Sequence, residues 1–447
     1  MTEYAPYGTW PSPLSPDVMG GARVSLAGLQ VVGDACWWSE SRPRDGGRMV
    51  VMRLRGDGPP EEISPEGVSV RSRVHEYGGG AHFAVGASLL YTDLADQALW
   101  WLDPGAPAVR LTPPAPAGET HRYADARPVA GRRLVVSLRE RHHDEGVDDE
   151  VVLVDRLGQI PPSVLLTGRD FFAAPRPSPD GRRLAWLAWD HPNMPWDGTE
   201  LWVADLQLDG SAGDGGEAAT FSAATLSAAS LVAGGPDESV GQPTWAGDDL
   251  WFVSDRAGWW QPYRFSQGQS QCMATDEVEF AGPDWVLGQS SFVVGGDDGL
   301  LCQFRRSGRD RLGLVDSATG TLHELEQPCV AISGLDAADG EIFVLGATAT
   351  APPALYRMPW PEGGAAGGAV SDGAVEQIHR VSTSPLEPAW VSTPEELTFE
   401  TITGAAVPLL FFAPHAPGRR GAPETAPPLV VVVHGGPTAG AQAGFDA

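Results

Sequence analysis

Short runs of β-branched and aromatic residues, separated by Gly-, Pro- and Asp-rich turns, carry the chain from about residue 30 to residue 390. The 3.6-residue period of an amphipathic helix is nearly absent there. One pattern recurs in "DARPVAGRRLVVSLRE" (125–140), "PRPSPDGRRLAWLAWD" (175–190), "PTWAGDDLWFVSDR" (243–256) and "PDWVLGQSSFVVGG" (283–296). Each has a Pro or small residue, a turn with Gly, and then an apolar strand. Gly tolerates the positive φ of a tight turn, and the bulky residues after it suit a pleated, buried surface. Weaker copies begin at Leu29, Gly80 and Ile332. Starts near 29, 80, 124, 174, 242, 282 and 332 make seven units. A second strand recurs in "ALWWLD" (98–103), "ELWVADL" (200–206) and "RLGLVDSATG" (311–320). Four short strands in each unit are the pattern of a propeller blade. The prediction is an all-β chain: a seven-bladed β-propeller over 26–390. A β-sandwich array is the competing reading. Two small-residue stretches, 208–230 and 361–376, read as surface loops.

After residue 390 the pattern changes. "TPEELTFETITGAAVPLLFFAPHAP" (393–417) predicts a strand, a turn at Thr403-Gly404 and a second strand. Leu429–Val433 is apolar at every position, which predicts a parallel strand buried on both faces. His434-Gly435-Gly436-Pro437 follows directly. Glycines there let backbone approach a ligand with no side chain in the way, as an oxyanion-binding N–H requires. Lipases and esterases carry an HGG-type loop after a strand for that purpose. An ordinary glycine turn is the plain alternative.

Composition narrows the function. The 447 residues carry a formal charge of −28 and no Lys, which argues against nucleic acid and anionic membranes as partners. Cys36, Cys272, Cys302 and Cys329 form no C-x-x-C pair, so buried free thiols are expected. In "RERHHDEG" (139–146) the adjacent His142 and His143 would point opposite ways on a strand, a poor chelate. No metal and no cofactor are expected. With no signal pattern at the N-terminus and no apolar run near the ~20 residues of a membrane helix, the expected compartment is the cytoplasm.

A propeller, a strand pair, an apolar strand and HGGP together resemble the prolyl oligopeptidase family of serine peptidases. Within it, the acylaminoacyl peptidase and dipeptidyl aminopeptidase-like branch is most similar. "YGTWPSPLS" (7–15), "RVHEYGGGA" (73–81), "SPDGRRLAWLAWDHPNMPWDGTELWVADL" (178–206) and "VSDRAGWWQPYR" (253–264) carry the same resemblance. It implies a propeller capping an α/β-hydrolase domain that cleaves short peptides. It divides the chain into an interface segment (1–25), the propeller (26–390) and the first strands of the hydrolase domain, cut short (391–447). It implies oxyanion N–H groups at Gly435 and Gly436, in a loop shaped by His434 and Pro437. Without neighbours to bury Leu429–Val433, the segment after about 393 is expected to be poorly fixed or packed opportunistically on the propeller. The nucleophile, acid and base of a serine triad would follow that loop. No G-x-S-x-G occurs: Gly268–Cys272 and Gly288–Phe292 both fail at the last position. The chain is therefore expected to be inactive alone, and to lack oligomerisation through the hydrolase domain. Some relatives hold a substrate's amino group on propeller carboxylates. The cleft candidates are thus Arg73, Glu76 and Tyr77, for which local charge pairing at a blade junction is the rival role, and Trp189, Asp190 and His191, in a loop (189–201) with two Trp whose rival role is a rigid loop closing on its own aromatics. A non-catalytic binding or scaffold propeller, or a propeller-linked esterase, stays open.

Overall fold

The computed structural model describes residues 3–16, 24–209, 223–295, 299–361, 375–380, 386–436 and 438–445. Seven four-stranded antiparallel sheets follow one another along the chain, each paired in sequence order from the inner to the outer strand. They span residues 26–62, 82–110, 120–166, 171–234, 240–272, 292–325 and 331–380. The chain is all-β, with a seven-bladed propeller. The runs at 98–103, 200–206 and 311–320 are the third strands of their blades.

Each blade buries both faces against its neighbours. Blades 3 and 4 share a core of Leu138, Val151, Phe172 and Trp186. The ring closes by packing. Leu26 and Trp38 of blade 1 meet Phe343 and Leu345 of blade 7 in one apolar cluster. The Val31 N–H donates to Asp336 Oδ2 across that seam at 2.6 Å.

The inner strands share a further device. In blades 1, 3, 4 and 5 the ladder shifts register at a residue with positive φ: Gly28 (64°), Asp125 (50°), Ala174 (47°) and Gln242 (56°). Such a bulge re-aims a side chain that regular alternation would point elsewhere.

Four expectations need correction. The sixth unit's first strand is Phe292–Val294, not a strand from 282, because the residues before it cross the molecule. The stretch 208–230 is only partly a loop: Ala223–Gly234 is the outer strand of blade 4, and 210–222 lies outside the described residues, as does 362–374 of the second stretch. Cys272 is exposed, since it sits on the outer edge of blade 5; Cys36, Cys302 and Cys329 are buried. Leu429–Val433 forms no strand and is 72–85% exposed. A strand apolar on both faces needs partners on both edges, and no described segment pairs with it.

Pro394–Glu400 and Ala406–Phe412 do pair as a hairpin. It docks on blade 6, where Arg309 reaches Glu396 (2.7 Å) and the Pro394 carbonyl (2.6 Å). At the other terminus, Glu3–Tyr4 pairs in parallel with Arg419–Arg420. Among the described residues no helix is long and apolar enough to cross a membrane.

Candidate functional site: a strapped cavity over blades 3 to 5

Two connections between blades leave the periphery and cross the ring. One, residues 63–81, joins blades 1 and 2; the other, residues 273–291, joins blades 5 and 6. They meet in a parallel bridge between Gly79 and Leu287, with the Leu287 N–H donating to the Gly78 carbonyl at 2.9 Å. The approach leaves no room for a side chain. A Cβ on Gly79 would lie 2.3 Å from the Leu287 carbonyl oxygen.

The first strap is pinned at His75. Its N–H donates to Glu140 Oε1 (2.5 Å) and its Nε2 bonds Asp149 Oδ2 (2.5 Å). Phe171 and Trp189 flank the ring edge-on, at 5.4 and 5.6 Å between centroids. Burial opposes the imidazolium, but the charge and hydrogen bond of Asp149, with Glu140 behind it, outweigh that and hold the His75 pKa above its ordinary value. His75 and Glu76 both adopt left-handed backbone, with φ of 53° and 63°. Two such residues in succession are strained, and the His75 contacts hold them there. The turn throws Glu76 to the rim, where Arg122 Nη1 pairs with it at 2.7 Å and lowers its pKa.

Beneath the straps lies a cavity of about 420 Å³. Phe171 and Trp189 stack at 5.2 Å to form one wall, with His191 edge-on to Phe171 at 5.0 Å. Trp285, tilted against Trp196 (4.2 Å between centroids) and met by Tyr77 (5.6 Å), forms the other. Arg176, Gln242 and Asp284 also line it, Asp284 from the second strap. Burial raises the Asp284 pKa to about 7.

The C-terminal segment lies on the same face. A Cβ on Gly436 would stand 3.8 Å from the Trp285 ring, and the Phe445 N–H donates to the Thr348 carbonyl of blade 7 at 2.9 Å. Gly435 and His434 face solvent, and Pro437 lies outside the described residues.

Of the candidates read from the sequence, Glu76, Tyr77, Trp189 and His191 come together around this cavity. Asp190 does not line it: its carboxylate is held by Arg169 at 2.7 Å. Arg73 stays outside too, exposed, its N–H donating to Gln97 Oε1 at 2.7 Å. The charges of that stretch do not pair with one another among the described residues: Glu76 pairs with Arg122 of blade 3. Sequence reasoning missed Gln242, Asp284, Trp285 and the Glu140–His75–Asp149 anchor. The one signal was the run of residues between the blade 5 and blade 6 strands, longer than a blade junction needs. His142 and His143 hydrogen-bond or pair with Glu140 and Asp148, and no group of three or more metal-capable side chains occurs among the described residues.

No protein-family model and no curated protein matches the chain. Solved structures do. A Mycobacterium tuberculosis puromycin-hydrolysing peptidase is 31% identical, with a TM-score of 0.80 over 95% of this chain and 64% of that one. A puromycin hydrolase is 30% identical, with a TM-score of 0.83 over 99% of this chain and 67% of that one. A serine-to-alanine mutant of puromycin hydrolase complexed with PGG gives a TM-score of 0.85 at the same identity and coverage. Prolyl oligopeptidase B from Galerina marginata, at 12% identity and a TM-score of 0.58, shares the fold. The chain spans about two thirds of the length of the puromycin-hydrolysing relatives, 64% of the first.

Proposed function

Since the chain belongs to the prolyl oligopeptidase family of peptidases, we propose that it is the propeller part of a serine peptidase that cleaves short peptides near the amino end. Aminoacyl, acylaminoacyl or dipeptidyl units are the products this reading covers. One observation carries it: Gly436 stands against Trp285, a wall of the strapped cavity. A peptide whose scissile carbonyl lay at the Gly435 and Gly436 N–H groups would send its amino end into that cavity. The straps bridge over the cavity, and a bridged cavity admits a short segment and stops a long one. The aromatic walls suit a side chain. Glu76 at the rim, with one oxygen engaged by Arg122, offers the other to an ammonium. His75 acts behind it as a positioning residue, fixing the strained turn that presents Glu76.

The 447 residues contain no nucleophile elbow, so the chain alone is proposed to bind peptides without hydrolysing them. The test uses the purified chain and a dipeptide with a free amino end. Trp285 and Trp189 should report binding through a fluorescence change, weakened about tenfold in Glu76→Gln. An aminoacyl nitroanilide should remain intact. Release of nitroaniline, blocked by a serine-directed phosphonate, would sink the claim of incompetence. No saturable fluorescence change with any free-amino dipeptide would sink the cavity's role.

A further inference from the structure

The carboxylates around the cavity are not equivalent. Glu76 is paired with Arg122, Asp149 with His75, Glu140 takes the His75 N–H and lies near Arg122 and His142, and Asp170 accepts the His191 N–H at 2.8 Å. Asp284, on the second strap, has no ion pair among the described residues. The nearby cation, Arg176, is committed to Asp125 at 2.9 Å, and Asp125 is also held by Arg127 at 2.8 Å. Gln242 gives the Asp284 carboxyl a hydrogen bond, while its own Oε1 is spent on the Ser291 N–H and hydroxyl. That leaves Asp284 Oδ1 enclosed, with no partner. A buried carboxyl oxygen without a donor is costly, and Asp284 is one of the residues that line the cavity.

We propose that Asp284 is a subsite for a positively charged side chain of the ligand, a lysine ammonium or an arginine guanidinium, distinct from the rim carboxylate Glu76. The proposal rests on the reading of the cavity as a peptide site and adds to it a preference for a basic residue. The shape fits. Trp189 and Trp285 line the same cavity as Asp284, and an alkyl stem packs on such rings while a guanidinium stacks over them. The charged tip then reaches the oxygen that lacks a donor. Burial that holds the empty carboxyl near neutrality acts in the same direction, because an arriving cation lets it ionise without exposure to water.

The test compares Lys-Ala and Ala-Lys with norleucine-Ala and Ala-norleucine, which keep the stem and lose the charge. Binding to the 447-residue chain is followed by tryptophan fluorescence at pH 7. At least one lysine peptide should bind at least tenfold more tightly than its norleucine partner. Asp284→Asn and Asp284→Ser should erase that ratio while norleucine peptides bind as before; the pair guards against one variant failing to fold. Glu76→Gln should weaken lysine and norleucine peptides alike. If both kinds bind equally well to the unaltered chain, or if the preference survives both Asp284 variants, the subsite is wrong and the peptide site stands. If no peptide of either kind binds, both fall.

Discussion

At the scale of single residues, the straps show what a glycine is for. Gly79 and Gly86 both have positive φ, 93° and 60°. Gly86 sits in a hairpin turn with open space around it, whereas Gly79 meets the backbone of Leu287. Gly86→Ala should therefore cost about 1 kcal/mol, the strain of the left-handed region alone. Gly79→Ala should cost clearly more and open the strap bridge. Urea unfolding of the two variants measures the difference; equal losses would mean that the bridge carries nothing. Asp284 makes a second prediction. Its pKa is about 7 in the fold against 3.8 when free, so between those values the unfolded chain has lost a proton that the folded chain keeps. Stability is therefore drained as pH rises through this window, and the drain is complete above about 7. Asp336, raised to about 6 by burial, acts with the same sign. The Tm advantage of Asp284→Asn over the unaltered chain should be larger at pH 8 than at pH 4.5 by about 2 °C or more. An advantage that shrank with pH would refute the assignment.

At the scale of elements, a blade and a strap are held differently. Blades form from adjacent segments, so turn chemistry and strand pattern specify them locally. The strap 63–81 is held by partners far along the chain, above all Asp149, 74 residues beyond His75. Removing one member of a buried pair leaves the other charge without compensation. His75→Ala should cost about 3 kcal/mol. It should also make residues 72–80 the first site of cleavage under limited proteolysis, while the blades stay resistant. Unchanged protection of that segment would show that the glycine packing alone holds it. The same contrast explains which parts of the site could be read early. "RVHEYGGGA" stood out because three glycines beside charged residues have no use in a strand. "GPDWVLG" did not, because Trp-Val-Leu passes for strand and only the distance to Phe292 betrayed a crossing.

At the scale of the whole molecule, no sheet among the described residues is shared by the first and last blades. Blade 1 and blade 7 meet through an apolar seam and the Val31–Asp336 hydrogen bond. Asp336→Ala strands that N–H and should lower stability by about 1–3 kcal/mol, read as a fall in Tm with unchanged far-ultraviolet circular dichroism. The formal charge of −28 adds long-range self-repulsion, which salt screens.

The sequence by itself determined the blades: their number, their order, the hairpin after them and the HGG loop. These depend on turns and strand alternation, which are local and repeat. It pointed to Glu76, Tyr77, Trp189 and His191 as cleft residues by composition. Only the tertiary structure decided that these four share a cavity, that Arg73 and Asp190 turn away from it, and that Asp284 and Trp285 complete it. It also decided that Leu429–Val433, apolar enough for a buried strand, is no strand among the segments described here. The physical reason is common to all of these: a cavity and a buried strand are made by partners distant in sequence, and a local pattern carries no record of which distant residue will arrive.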